Sequence, residues 1–235
     1  MGENLLEVRN LSKRFGGFVA LNDISFDVAA GERVGLIGPN GSGKSTFVNC
    51  ISGTLMLSTG TVSLDRRRIE HLAPHQRTRM GLARSFQLPR PFGSMSVADN
   101  LKVPMLYAGR GGEAGAMQLL EQIGLADKSD KLPRELTQIE LRKLELARAM
   151  AANPRLLIAD EAMAGLSHTE VDELLALLLR LSDQGVAIIM IEHIMRAVMA
   201  FSQRIACFVA GQKVADGDPQ DVIRHPEVLR AYLGE

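Results

Sequence analysis

The sequence predicts an α/β protein built on a parallel sheet, with an antiparallel β segment near its amino terminus and a helical insertion. Three observations carry that prediction. Arg33-Val34-Gly35-Leu36-Ile37 is a short apolar run that leads into a glycine-rich segment and then into Lys44 to Ser52, which has helical character. Leu156-Leu157-Ile158-Ala159 and Val186 to Ile191 are further uninterrupted apolar runs, separated by the leucine-rich helical stretch Glu170 to Leu181. Continuous apolar strands alternating with helices suit a parallel sheet covered on both faces. Between Gly93 and Ala152 the strand signals vanish, and apolar residues recur at helical spacing.

In chain order, Leu5 to Val28 alternates between apolar and polar residues, with polar breaks at Asn10, Gly16-Gly17 and Asn22-Asp23, and reads as short antiparallel strands. Gly31-Glu32 is the turn before the first buried strand. Within the insertion, helices are expected over Val97 to Leu106, Ala116 to Ile123 and Leu141 to Met150, with Gly109 to Gly115 as a loop. Neither an internal repeat nor a low-complexity tract interrupts the pattern.

With 46% apolar and 23% charged residues over 235 positions, the chain can bury a sizeable core. Lys plus Arg equals Asp plus Glu at 27 each, so no single-signed field draws it to nucleic acid, and no nucleic-acid partner is expected. The cluster Arg66-Arg67-Arg68 reads as a solvated turn. Cys50 and Cys207 lie far apart in apolar surroundings and fit no zinc spacing, which predicts buried free thiols and a reducing, cytosolic setting. Val186 to Ile191 is far short of the roughly 20 apolar residues a membrane-spanning helix needs. Met1-Gly2-Glu3-Asn4 carries no basic segment followed by an apolar one, so no secretory signal is expected.

The chemistry is announced by Gly38-Pro39-Asn40-Gly41-Ser42-Gly43-Lys44-Ser45-Thr46, which matches G-x-x-x-x-G-K-[ST]. Glycines let successive N–H groups turn inward around phosphate oxygens at the positive end of a helix. Lys44 supplies charge for the outer phosphates, and Ser45 offers a hydroxyl to magnesium. Asp160 and Glu161 stand at the end of a later apolar strand, one suited to hold magnesium and the next to act as a base toward water. The phosphate loop alone leaves kinase, GTPase and transport ATPase open.

Taken together, these segments resemble the nucleotide-binding domain of ABC ATPases, and within them the ATP-binding subunits of branched-chain amino acid importers. That resemblance implies a P-loop NTPase (RecA-like) core with an antiparallel β subdomain and a helical subdomain, in one domain over residues 1–235. Residues 1–92 and 151–235 would form the catalytic core with the β subdomain, and 93–150 the helical subdomain. Lys13-Arg14-Phe15-Gly16-Gly17-Phe18-Val19-Ala20-Leu21 resembles the adenine-side strand, where Phe15 would stack on the base. Arg84-Ser85-Phe86-Gln87 matches the Q-loop, and Ile191-Glu192-His193 the switch-histidine motif. Ala164-Gly165-Leu166-Ser167 resembles the loop that crosses to a second ATPase subunit, and Ser167 with Glu170 forms a capping box for the next helix. The tail, Gly217-Asp218-Pro219 through Ala231-Tyr232-Leu233-Gly234-Glu235, is similar to the carboxy-terminal signature of the importer branch.

The resemblance implies ATP with Mg2+ held by Ser45, Gln87 and Asp160, and catalysis by Glu161, His193 and Gln87. It also implies a second ABC ATPase subunit (the same or different), integral membrane permease subunits and, indirectly, a substrate-binding protein. The chain would then sit on the cytoplasmic face of the cell membrane and couple ATP hydrolysis to uptake of amino acids or a related small polar solute. An ABC exporter ATPase and a soluble regulatory ABC ATPase stay open. Phe92, Met95 and Val97 are candidates for the permease-facing surface, and equally for packing within the insertion.

Where the family has its L-S-G-G-Q signature, this chain has Leu136-Thr137-Gln138-Ile139-Glu140. Thr137 keeps a hydroxyl able to grip the terminal phosphate bound to an opposite subunit, but Ile139 places a branched side chain where close backbone approach is expected. Thr137 with Glu140 equally reads as a capping box that starts a helix without touching nucleotide. Smaller departures are Ala162, where the family usually has proline, and Ile194, where it often has aspartate.

Overall fold

The computed structural model describes residues 4–108 and 113–233. Its first half contains β1 (Asn4–Phe15), β2 (Phe18–Ala29), β3 (Arg33–Ile37), α1 (Lys44–Ser52), β4 (Thr59–Leu64), β5 (Arg67–Arg68), α2 (Pro74–Arg79) and β6 (Leu82–Ser85). The insertion contributes α3 (Val97–Tyr107), α4 (Glu113–Ile123) and α5 (Gln138–Met150). Then follow β7 (Leu156–Asp160), α6 (His168–Asp183), β8 (Ala187–Ile191), α7 (Met195–Phe201), β9 (Arg204–Val209), β10 (Gln212–Gly217), α8 (Pro219–Ile223) and α9 (Pro226–Leu233).

The main sheet has the order β10-β9-β3-β8-β7-β6, with β10 antiparallel to β9 and every other neighbouring pair parallel. A second, antiparallel sheet has the order β2-β1-β4-β5. The predicted breaks at Asn10 and Asp23 do not end strands. They are irregularities within two long ones: Asn10 and Asp23 adopt φ of 51° and 57°, and Asn10 Nδ2 donates to Asp23 Oδ1 over 2.8 Å. That bond satisfies both polar side chains locally, so the ladder bends and continues. Gly16-Gly17 alone closes the hairpin. The arginine cluster turns through Asp65 and Arg66, both at positive φ, into the exposed strand β5.

Period-2 alternation along the parallel strands feeds two apolar cores. Leu156, Ile158, Ile189 and Ile191 face the side of α1 and the antiparallel sheet, where Phe47 packs edge-on between Phe26 and Phe208 at centroid distances of 5.4 and 5.1 Å. Leu157, Ala159, Ile188 and Met190 face the other side, with Leu101, Leu120, Leu144, Leu174 and Phe201 from the helices. The insertion therefore shares its core with the sheet. Val97 is fully buried in that core, so it is no part of an outer docking face; the 3.6-residue period of α3 turns it inward. Phe92 remains 42% exposed. Gly115, expected in a loop, lies in α4, while residues 109–112 fall outside the described residues. Cys50 and Cys207 are free and buried, and burial pushes both thiols up to about 11. No helix among the described residues is long and apolar enough to cross a membrane.

Candidate active site

Parallel pairing brings four strand ends to one edge. Leu36 and Asp160 both pair with Ile191, and Ser85 pairs with Ala159, so β3, β8, β7 and β6 finish nearly level. The segments that follow these strands carry Gly38 to Thr46, Glu192-His193, Glu161 and Gln87 respectively. Sites in open α/β sheets gather at this carboxyl edge for the same reason.

Two of the loop glycines are dictated by close neighbours. Gly38 takes φ of 147°, and a Cβ there would lie 2.2 Å from the Phe208 carbonyl oxygen; Gly43 takes φ of 104°, and a Cβ there would lie 2.8 Å from the Leu21 side chain. From Gly43 the chain enters α1 with no side-chain cap, leaving first-turn N–H groups for an anion. Lys44 is buried, and its Nζ donates to the carbonyls of Gly38 (2.6 Å) and Pro39 (3.1 Å). Burial lowers its pKa. A cavity of about 300 Å³ is lined by Asn40, Gly41, Ser42, Gly43, Lys44, Ser45 and Thr46 together with Phe18 and Glu161. A larger one of about 620 Å³ is lined by Ser45, Arg84, Gln87, Asp160 and Glu161 among others, and adjoins the first through Ser45 and Glu161.

Glu161 is the meeting point. Its N–H donates to the Ile191 carbonyl (2.9 Å), its carbonyl accepts the Ala164 N–H (3.3 Å), and the residue takes φ of 47°, a left-handed conformation uncommon for residues other than glycine. Gln87 Nε2 donates to Glu161 Oε2 over 2.6 Å, and His193 Nε2 lies 3.1 Å from Oε1. The residues expected in catalysis thus converge on one carboxylate. Asp160 lies beside them with Oδ2 bonded to Arg84 Nη2 over 2.6 Å.

Two expected residues lie outside both cavities, Thr137 as either of its readings requires. Phe15 does not line either cavity; its cross-strand partner Phe18 does, and because directly paired residues share a face, the two rings flank the same side of the hairpin. Thr137 lines neither cavity and caps α5: its N–H donates to Glu140 Oε2 over 2.9 Å, and its hydroxyl accepts from the Glu140 N–H. Ser167 and Glu170 form the anticipated capping box of α6.

Sequence reasoning passed over Phe18, Arg84 and Glu192. All three lie inside the quoted motifs, but nothing in residue type alone singles out the second ring of a hairpin or marks a strand-end arginine or glutamate as paired or buried. Glu192 is 3% exposed, and its Oε1 accepts the Met163 N–H over 2.8 Å. Burial, together with the nearby Glu161 charge, pushes its carboxyl up to about 7.

Ser45, Asp160 and Gln87 offer hydroxyl, carboxylate and amide oxygen on one cavity, a hard-oxygen set suited to Mg2+. Among the described residues no group of three or more His, Cys, Asp or Glu could hold a metal ion. An anion-binding loop, a cation-binding oxygen set and a carboxylate bonded to imidazole and amide are the equipment of phosphoryl transfer.

Because Glu192 gains a proton affinity on folding that the unfolded chain lacks, its contribution to stability is fullest below about pH 4.5 and is lost as pH rises toward 7. Glu192→Gln is therefore expected to remove a decline in unfolding free energy on the order of 2 kcal/mol between pH 5 and pH 8, measured by urea denaturation across that range. Parallel pH dependence of the parent and the variant would contradict this.

Residues 21–164 match the ABC transporter family, and residues 212–235 match the family described as Branched-chain amino acid ATP-binding cassette transporter. The chain is 38% identical to the high-affinity branched-chain amino acid transport ATP-binding protein LivG of Salmonella typhimurium, over 100% of both chains. It is 37% identical to the corresponding protein BraF of Pseudomonas aeruginosa, again over 100% of both. A solved nucleotide-free ATP-binding cassette from an ABC transporter superposes with a TM-score of 0.91 at 28% identity, covering 99% of this chain and 100% of that one. With a phosphate loop, a Glu161 centre and these likenesses along its length, the chain belongs to the ABC transporter family as an ATP-binding, ATP-hydrolysing cassette.

Proposed function

We propose that this chain is the ATPase subunit of an importer for branched-chain amino acids, held at the cytoplasmic face of the membrane by permease subunits and served indirectly by a substrate-binding protein. The observation that carries the ATPase half is Glu161, bonded to Gln87 and to His193 beside the phosphate loop. The likeness of the tail over residues 212–235 supports the importer half. Cells lacking this chain are expected to lose energy-dependent uptake of labelled leucine, isoleucine or valine. Undiminished uptake of all three would overturn the substrate assignment.

The backbone N–H groups of Gly41 to Ser45 and the Lys44 ammonium cradle the ATP phosphates, and Lys44 trades its loop carbonyls for phosphate oxygens. Ser45, Gln87 and Asp160 would hold Mg2+, which supplies charge neutralisation on the phosphates. Glu161 orients water and accepts its proton; His193 stabilises charge developing on the terminal phosphate; Gln87 couples this carboxylate to the exposed segment of Phe86 and Leu88, where a permease would dock. Phe18, which lines the phosphate-loop cavity, would stack on the base, with Phe15 paired beside it. Glu161→Gln should retain ATP binding and lower turnover about 10²- to 10⁴-fold, measured by phosphate release against nucleotide binding. Turnover like that of the parent would refute the assignment.

ABC ATPases complete each phosphate site with the signature of an opposite subunit, and here two polar residues of that signature bond to one another. Thr137 and Glu140 satisfy one another's N–H groups, and the Glu140 carboxylate also pairs with Lys128 at the start of α5. An acidic group there occupies the field that would otherwise favour phosphate. We read the chain as using another subunit's signature at its own phosphate loop while supplying a weakened one in return, which suits a second subunit of different sequence. In the assembled complex, Glu161→Gln in this chain should reduce ATPase activity far more than the matching change in the partner. Equal losses would sink the asymmetric reading.

A further inference from the structure

Arg84, at the end of β6, is a charged residue for which the mechanism above has no use, and it is held on several sides. Its Nη2 donates to Asp160 Oδ2 over 2.6 Å, its Nη1 donates to Asn49 Oδ1 over 2.7 Å, and its guanidinium carbon lies 5.1 Å from the centroid of the Phe86 ring. The Arg84 and Asp160 side chains are only 12% and 11% exposed, so losing either would strand the other's charge in a shielded site. Asn49 belongs to α1, the helix that leaves the phosphate loop and carries Ser45 one turn earlier. One planar cation therefore fastens α1, β6 and β7 together where Ser45, Gln87 and Asp160 line a common cavity.

We propose that Arg84 is a positioning residue for divalent-cation binding: by holding Oδ2 it fixes the Asp160 carboxylate and leaves Oδ1 for the cation. The inference rests on the Mg2+–ATP reading above. A guanidinium held against Oδ2 would keep the Asp160 carboxylate in one orientation, so that less ordering is left for cation binding to do. Hydrogen-bond partners of metal-binding carboxylates commonly set metal affinity in this way. Lysine could keep the charge but not the fork that reaches Asp160 and Asn49 together. The contact with Phe86, 45% exposed, joins this clamp to the loop that carries Gln87.

The test uses the full-length chain with Glu161→Gln throughout, so that nucleotide is not turned over, and a trinitrophenyl ATP analogue whose fluorescence reports binding. Mg2+ is titrated at a fixed subsaturating analogue concentration, and the analogue's affinity is measured separately in excess chelator. Arg84→Met is expected to raise the Mg2+ concentration giving half-maximal binding about ten-fold, with Arg84→Lys between it and the parent. Analogue binding in chelator should change less than about two-fold, which separates cation alignment from general damage to the pocket. An unchanged or lowered Mg2+ midpoint in Arg84→Met overturns the proposal; should that variant fail to fold by its thermal transition, an unchanged midpoint in Arg84→Lys does so. If the parent itself binds the analogue without regard to Mg2+, the cation reading beneath the proposal falls as well.

Discussion

Parallel strand pairing is the constraint on which the rest of this molecule depends. Strands that run the same way must end on the same edge, and the register of β3, β8, β7 and β6 leaves those ends level. Segments far apart in sequence, at residues 38–46, 87, 160–161 and 192–193, thereby become neighbours without any of them needing affinity for another. Each strand is buried on both faces, so a slip of one residue would send Leu157 and Ile188 into the core meant for Ile158 and Ile189. The same packing that stabilises the sheet therefore sets the relative height of the functional side chains.

Function is placed where this frame is locally strained or electrostatically expensive. Glu161 sits at positive φ just past the last ladder bond of β7, which turns its side chain between Gln87 and His193 instead of along the strand. Glu192, one residue before His193, is buried with a carboxyl raised toward neutrality, yet it receives the Met163 N–H and so ties the switch segment to the loop behind Glu161. Arg142 reaches from α5 to the Ala164 carbonyl of that same loop. Polar connections thus run from the helix behind the altered signature to the loop that begins at Glu161, inside a core that is otherwise apolar. Such bonds cost much when left unmade, which makes the loop's position definite.

The altered signature shows how a local rule can prevail over a family pattern. Thr137 and Glu140 form a complete capping box, as do Ser167 and Glu170 at the next long helix. A helix start that satisfies the Thr137 and Glu140 N–H groups gains stability and takes those two donors away from an incoming phosphate. Ile139 adds bulk at the same turn, and both changes point away from phosphate binding at that helix end.

Much of the fold was legible because its signals are local. Apolar runs of strand length, helical spacing through the insertion and a loop whose glycines are demanded by Phe208 and Leu21 can be read residue by residue, and the roles proposed for Lys44, Ser45, Asp160 and Glu161 rest on motifs of the same local kind. Less legible were features decided by a distant partner. Asn10 and Asp23 read as strand breaks, yet each answers the other across the hairpin; Val97 suits a docking face and core packing equally until its helix turns it into the core; and Phe18, not Phe15, lines the phosphate-loop cavity. By itself the sequence determined the phosphate loop, the strand and helix alternation and the capping boxes, since propensity, periodicity and short-range hydrogen bonding act within a few residues. Tertiary structure alone decided that Arg84 clasps Asp160, that Glu192 is buried and that Glu161 stands between Gln87 and His193, because burial and ion pairing depend on which strand ends the sheet brings together.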